Sequence, residues 1–251
     1  MTHAPDGYTR FSLSGADVVA LGSCADAVRR AFGDQSLYAY AASHPARREL
    51  RGRGAAYAVP LPDGTTRVVV RHSRHGGLLA PVTGDRFLAP TRAPRELDTA
   101  LRLAASDVPT PQLIAYATYP AGGPFRRSDV ATREVIGGRD LSSVLAAGKR
   151  AVDVTASLHA TAELLVALER AGARHPDLNI ANVLLVNDDA APRALVLDVD
   201  RVMFGTPGDR AIGAANFRRL LRSAHKLRAQ HRIAVTDAEL SALAAAAGHT
   251  T

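Results

Sequence analysis

The chain has 251 residues, 47% hydrophobic and 22% charged, which excludes a disordered or fibrous chain and leaves room for one large or two-lobed domain. Lys and Arg exceed Asp and Glu by 31 to 24, a net charge of +7 that predicts an anionic partner: nucleotide, nucleic acid, phospholipid or acidic sugar. A single cysteine, Cys24, excludes a disulfide framework and a cysteine-based zinc site, and no apolar run or leader-like segment marks a membrane span or secretory signal, so a cytoplasmic protein is expected.

Residues 1–44 are weakly patterned. Ala55 to Leu61 is apolar, Pro62-Asp63-Gly64 is a turn signal, and Val68-Val69-Val70 within Thr65 to Arg71 predicts a buried strand. Residues 73–91 read as a loop. Thr91 to Ser106 has helical spacing, with Thr91 as its cap, and Pro109-Thr110-Pro111 ends that stretch. Leu113 to Tyr119 and Val130 to Ile136 predict two more strands. After Gly137-Gly138 the pattern changes. Asp140 to Ala147 and Val152 to Ala171 predict helices, the second closed by Gly172. Val183 to Val186 and Leu195 to Leu197 predict short strands, and Ile212 to Gln230 and Asp237 to Ala247 two further helices. A strand-rich half with one helix precedes a helix-rich half, so an α+β chain with lobes at 1–135 and 136–251 is expected; the role of 1–44 stays open.

The segment from His175 to Leu185 carries the strongest chemical pattern, His-x-Asp-Leu-x-x-x-Asn. Phosphoryl transfer needs a carboxylate to orient the acceptor hydroxyl and, a few residues on, a side-chain oxygen to hold a metal ion against the phosphates. Asp177 and Asn182 offer that pair, although Asp and Asn are also ordinary turn formers. Further on, Leu195-Val196-Leu197 runs into Asp198-Val199-Asp200. A strand ending in a carboxylate suits Mg²⁺, which takes hard oxygen ligands. Asp198 is the ligand candidate, and Asp200 is either a second metal contact or a partner for Arg201.

In the first half, Arg51-Gly52-Arg53-Gly54 lies between two strand-like stretches, where Gly52 and Gly54 would let the backbone approach a phosphate; an ordinary hairpin turn fits equally. The strand that ends in Arg71 resembles the one that in kinases ends in a phosphate-binding lysine, and Arg is permanently charged and bidentate towards phosphate. Glu96 on the following helix is its natural ion-pair partner, or a solvated helix residue.

Taken together, these stretches resemble the lipopolysaccharide kinase family, and within it the kinases of 3-deoxy-D-manno-octulosonic acid (Kdo). The matching residues include Arg51 to Gly54, Val70 to Leu78, Arg95-Glu96, Val108 to Pro111, Glu134 with Gly137, His175 to Leu185, Leu197 to Arg201 and Asn216 to Leu220. The resemblance covers roughly residues 47 to 230 and implies a bilobal protein-kinase-like fold. In that family an Arg occupies the position of Arg71 and an Asn that of Asn179; Val199 departs from the family's Asp-Phe-Asp. The resemblance implies Asp177 as catalytic residue and Asn182 and Asp198 as metal ligands. It also implies Gly52, Gly54, Arg71, Glu96 and Glu134 as nucleotide contacts, with ATP and Mg²⁺ as cofactors. The implied acceptor is Kdo-lipid A or a related acidic sugar lipid, reached from the cytoplasmic face of the inner membrane. No nucleic-acid motif is present, and no protein partner is implied.

Two basic features remain open in the sequence. Arg71, His72, Arg74 and His75 form a cationic stretch that binds an acidic sugar lipid or is merely solvated. The helix from Ile212 to Gln230 sets Phe217, Leu220, Leu221, Ala224 and Leu227 on one face, with Arg218, Arg219, Arg222 and Arg228 mostly on others. Such a helix lies on an anionic membrane or buries its apolar face in the protein's own core. Competing readings of the whole chain are a small-molecule kinase of the aminoglycoside or choline type, a protein kinase, and a non-catalytic nucleotide-binding protein.

Overall fold

The computed structural model describes residues 4–33, 35–50, 55–74, 84–147, 154–187 and 191–249. The chain divides into two units: residues 1–98 with 112–134, and residues 99–111 with 135–251.

The first unit is built on one antiparallel sheet. Its strands are β1 (Tyr8–Leu13), β2 (Ala16–Leu21), β3 (Arg48–Leu50), β4 (Ala56–Pro60), β5 (Arg67–His72), β6 (Phe87–Leu88), β7 (Leu113–Pro120) and β8 (Phe125–Arg133). Their order is β1-β2-β7-β8-β5-β4-β3, with β6 paired to β8. The strand expected at Val130 to Ile136 starts at Phe125 and ends at Arg133, earlier than the apolar run alone implied.

Within residues 1–44, whose role the pattern left open, Tyr8–Leu13 and Ala16–Leu21 form the hairpin β1–β2 that extends the sheet through β7, and two helices follow. Helix α1 (Ala25–Phe32) buries Ala25, Val28 and Phe32 at helical spacing, and α2 (Leu37–Ser43) starts where Ser36 Oγ accepts from Ala39 N. Val28, Phe32, Leu37 and Ala41 join Val18, Val68, Val70, Ala117 and Ala131 of the sheet in one buried cluster. Strand alternation makes Val68, Val70 and His72 share that covered face, while Arg67, Val69 and Arg71 point to the other.

Helix α3 (Ala93–Ala105) begins two residues after Thr91, whose hydroxyl is buried without a hydrogen-bond partner rather than capping it. Residues 99–111 belong to the second unit, whereas the sequence placed them before a single cut near 135. The reason is packing: Ala100, Leu103 and Val108 are buried in the second unit's core, and Pro109 O accepts from Val196 N at 2.9 Å.

The second unit packs around α5 (Val154–Arg170), which buries Leu158, Leu164, Leu165 and Leu168. Gly172 ends that segment at φ +64°, and a Cβ there would lie 2.7 Å from Gly205 O. The remaining elements are α4 (Leu141–Ala147), the short strands β9 (Arg139–Asp140), β10 (Ala173–Arg174) and β13 (Met203–Phe204), the hairpin β11 (Val183–Asn187) and β12 (Pro192–Val196), and helices α6 (Arg210–Ala229) and α7 (Asp237–Ala246). Helix α6 buries Phe217, Leu220 and Ala224, and the half-buried Leu221 and Leu227 pack on the same core. Its apolar stripe is therefore taken up inside the protein and is not the membrane-inserting face that the sequence left open.

Candidate active site

The segment 175–182 joins β10 to β11. His175 is 1% exposed, and burial pushes its pKa below the ordinary histidine value, so the ring is neutral near neutral pH. Nε2 lies 3.0 Å from Leu197 O, which can only accept, so Nε2 carries the hydrogen. Nδ1 is then an acceptor, and Asp177 N donates to it at 3.3 Å. One neutral imidazole thus ties the main chain of Asp177 to the residue preceding Asp198. Leu197 N closes the same circuit by donating to Asn182 O at 2.9 Å.

The turn itself is held by amides. Asp177 O accepts from Asn179 Nδ2 at 2.9 Å and from Asn182 Nδ2 at 3.2 Å, and Asn179 Oδ1 accepts from Ala181 N. These hydrogen bonds therefore tie Asp177 and Asn182, on a loop, to Leu197, the residue before Asp198 at the end of a different strand. Asp198 sits in the left-handed region at φ 59° and ψ 50°, a conformation that costs a non-glycine residue about 1–2 kcal/mol. Among the described residues, neither the Asp198 carboxylate nor Asn182 Oδ1 has a hydrogen-bond partner, so both oxygens are open to a hard cation. No cluster of three or more His, Cys, Asp or Glu side chains suited to a metal occurs among the described residues. This donor pair needs further oxygens, such as phosphates and water, to complete a shell.

Helix α6 laces onto this loop through one face. Asn216, fully buried, accepts from His175 N at 2.9 Å and donates to Ala173 O at 2.8 Å. Ser223 Oγ accepts from Ile180 N at 3.0 Å. Residue 219 falls between them at helical spacing, and Arg219 Nη2 reaches Asp177 Oδ1 at 3.1 Å. The other carboxylate oxygen, Oδ2, is 2.5 Å from Arg201 Nη1, on the turn after Asp198. Sequence reasoning placed neither arginine against Asp177: it offered Arg201 to Asp200, and it set Arg219 on a basic helix surface towards an anionic lipid-linked acceptor or solvent. The signal was present in the spacing, because Asn216 and Arg219 are three apart in a segment that also carries the family pattern.

In the first unit, Arg71 on β5 and Glu96 on α3 form an ion pair, with Glu96 only 4% exposed. Glu134 takes no part in it. Its carboxylate, nearly buried, pairs with Arg67 Nε at 2.6 Å and Arg48 Nη2 at 2.7 Å. Gly52 and Gly54 lie outside the described residues, as does His75. His72, expected in a cationic stretch, is instead fixed between two carboxylates on the face opposite Arg71. Nδ1 is 2.6 Å from buried Asp129 and Nε2 is 3.0 Å from Asp85. The bond to Asp129 is the main cause of a raised His72 pKa. Asp129 also accepts from Tyr38 N and Tyr119 Oη, and Arg74 lines a cavity of about 380 Å³ beside this cluster.

Residues 41–246 match the model of the lipopolysaccharide kinase (Kdo/WaaP) family. The chain belongs to this family. It is 32% identical over 187 residues to a 3-deoxy-D-manno-octulosonic acid kinase of Stenotrophomonas maltophilia, covering 72% of this chain and 70% of that one. The kinase of the same name from Xanthomonas oryzae pv. oryzae is 33% identical over 181 residues (70% of this chain, 68% of that one). That of Vibrio vulnificus is 31% identical over 199 residues (76% and 78%). Among solved structures, WaaP in complex with acyl carrier protein superposes with a TM-score of 0.56 at 17% identity, over 88% of this chain and 85% of that one, which bears on the fold alone. The fold is thus the kinase-like α+β fold that the motifs predicted. The lipopolysaccharide kinase is an ATP-dependent phosphotransferase of core assembly, not a protein kinase, an aminoglycoside-type kinase or a non-catalytic binder. No helix among the described residues is long and apolar enough to cross a membrane.

Proposed function

We propose that this lipopolysaccharide kinase transfers the γ-phosphoryl group of ATP to a hydroxyl of a Kdo residue carried on lipid A. The observation that carries the reading is the His175 bridge, which locks Asp177 and the Asp198 strand end into one neutral, rigid circuit. Positioning of this kind is the main contribution a protein makes to phosphoryl transfer. In this reading Asp177 accepts a hydrogen bond from the attacking hydroxyl and takes its proton as the bond to phosphorus forms. Asn182 Oδ1 and the Asp198 carboxylate would hold Mg²⁺, which when bound neutralises charge on the phosphates. Arg71, oriented by Glu96, binds phosphate oxygens. The Glu134 side chain is held by its two arginines, so its part in nucleotide binding falls to the main chain beside it. The lipid-linked acceptor places the enzyme peripherally on the cytoplasmic face of the inner membrane, with the exposed arginines of α6, Arg218 and Arg222, available to anionic lipid.

Incubation with ATP, Mg²⁺ and Kdo-lipid A should add one phosphate by mass, and omission of Mg²⁺ should abolish the addition. An unchanged lipid mass, with ATP turned over on a soluble sugar instead, would refute the acceptor assignment.

A further inference from the structure

Asp177 is gripped by two arginines. Both of its oxygens face a guanidinium, Oδ2 that of Arg201 at 2.5 Å and Oδ1 that of Arg219 at 3.1 Å. The two arginines arrive from unrelated elements, one from the turn after Asp198 and one from α6, and α6 is pinned on either side of Arg219 by Asn216 and Ser223. The arrangement is therefore built by the fold and is not a chance surface pair.

It also carries more donors than Asp177 can use. A guanidinium has five N–H groups and never gives up its proton. Among the described residues, Asp177 is the sole hydrogen-bond or ion-pair partner of either arginine, and their side chains are 56% and 40% exposed. One carboxylate thus sits in a two-guanidinium receptor with several donors left open. A second carboxylate beside the first would be repelled by Asp177 but attracted by two permanent cations, and planar guanidinium groups match carboxylate geometry in pairs of parallel bonds.

We infer that Arg201 and Arg219 form the receptor for the carboxylate of the acceptor sugar and select an acidic sugar over a neutral one, while holding Asp177 beside the hydroxyl to be phosphorylated. The inference rests on the Kdo reading above, because a Kdo residue carries one carboxylate. It assigns the choice of substrate to charge complementarity at the catalytic residue itself.

The experiment compares two acceptors, a Kdo glycoside on lipid A and the same compound with its carboxyl group reduced to the primary alcohol. The wild-type enzyme should prefer the acid by about 10- to 100-fold in kcat/KM, the range expected when a charge-assisted bond is lost. Arg201→Gln and Arg219→Gln should each shrink that preference at least about threefold, mainly through KM for the acid. Nucleotide affinity, read by direct ATP binding, should stay at the wild-type value. Arg219→Lys, which keeps the charge and loses the fork, should fall between. Loss of activity on both acceptors alike, with the preference intact in whatever activity remains, would overturn the inference and leave the arginines as supports for Asp177. A wild-type enzyme that phosphorylates neither acceptor would overturn the Kdo reading itself, and this inference with it. A wild-type enzyme that phosphorylates both equally would overturn the receptor alone.

Discussion

Asn216 is the side chain through which helix α6 grips the catalytic segment, and its removal has a calculable consequence. It is fully buried, accepts from His175 N at 2.9 Å and donates to Ala173 O at 2.8 Å. Asn216→Ala leaves both main-chain groups without a partner in a place water does not reach. Each buried, unpaired polar group costs about 1–3 kcal/mol, so the pair should cost about 2–6 kcal/mol. That is a large share of the ~5–15 kcal/mol that a domain has in hand. Urea denaturation should show a lower midpoint with an unchanged slope, and hydrogen exchange should show the His175 amide losing protection. Arg10→Gln, which breaks an exposed pair with Asp17 at 2.6 Å, should cost under about 1 kcal/mol in the same assay. Phosphoryl transfer should fall in Asn216→Ala even where the protein stays folded, because His175 and Asp177 lose their fixed position. A loss below about 1 kcal/mol with the His175 amide still protected would refute the reasoning, since α6 would then not be held by this residue.

Asp177→Ala should lower kcat by about 10²–10⁴-fold with nucleotide binding retained, whereas Asp198→Ala should also lose Mg²⁺-dependent nucleotide binding; equal behaviour of the two in a binding assay would contradict the separate roles. Gly172→Ala should destabilise the second unit by at least about 2 kcal/mol, because the new Cβ would meet Gly205 O at 2.7 Å in a left-handed residue; a thermal midpoint within about 1 °C of wild type would count against that packing. His72 has a raised pKa in the folded chain, so its contribution is complete below the unfolded histidine value and is lost as pH rises through the folded one. Stability measured across that window should decline with pH in the wild type and show a flatter course in His72→Gln. His175, whose pKa is lowered, works in the opposite sense: its contribution is present above the unfolded value and is lost as pH falls through the folded one, so acid should loosen the catalytic segment first. A His175 ring that titrates by NMR at or above the ordinary histidine pKa would contradict the neutral bridge.

Much of this molecule is written in short-range pattern. The run Val68-Val69-Val70, the leucines of α5 and the stop at Gly172 are local signals, and each appears in the structure where the periodicity put it. The order of the two acidic motifs was equally legible, since a loop supplying Asp177 and Asn182 and a strand end supplying Asp198 are defined by residues a few positions apart. Residues 8–43 were not legible in the same way. Their hairpin and two small helices have little character alone, and only the sheet face formed by Val68, Val70 and Ala131 makes Phe32 and Leu37 a core. Residues 99–111 likewise follow their burial, not their place in the chain. At the site, the pattern named Asp177 and could not name what holds it. His175 reaches Leu197 across 22 positions, Arg201 reaches Asp177 across 24, and Arg219 reaches it across 42. No local preference decides such pairs; the Arg219 contact forms because α6 packs Phe217 and Leu220 into the second core and thereby turns Asn216, Arg219 and Ser223 onto the catalytic segment. The residue types that do chemistry are set by sequence, and the charges that surround Asp177 are set by tertiary packing: Arg201 by the turn that follows Asp198, and Arg219 by the burial of a helix face more than 40 residues away along the chain.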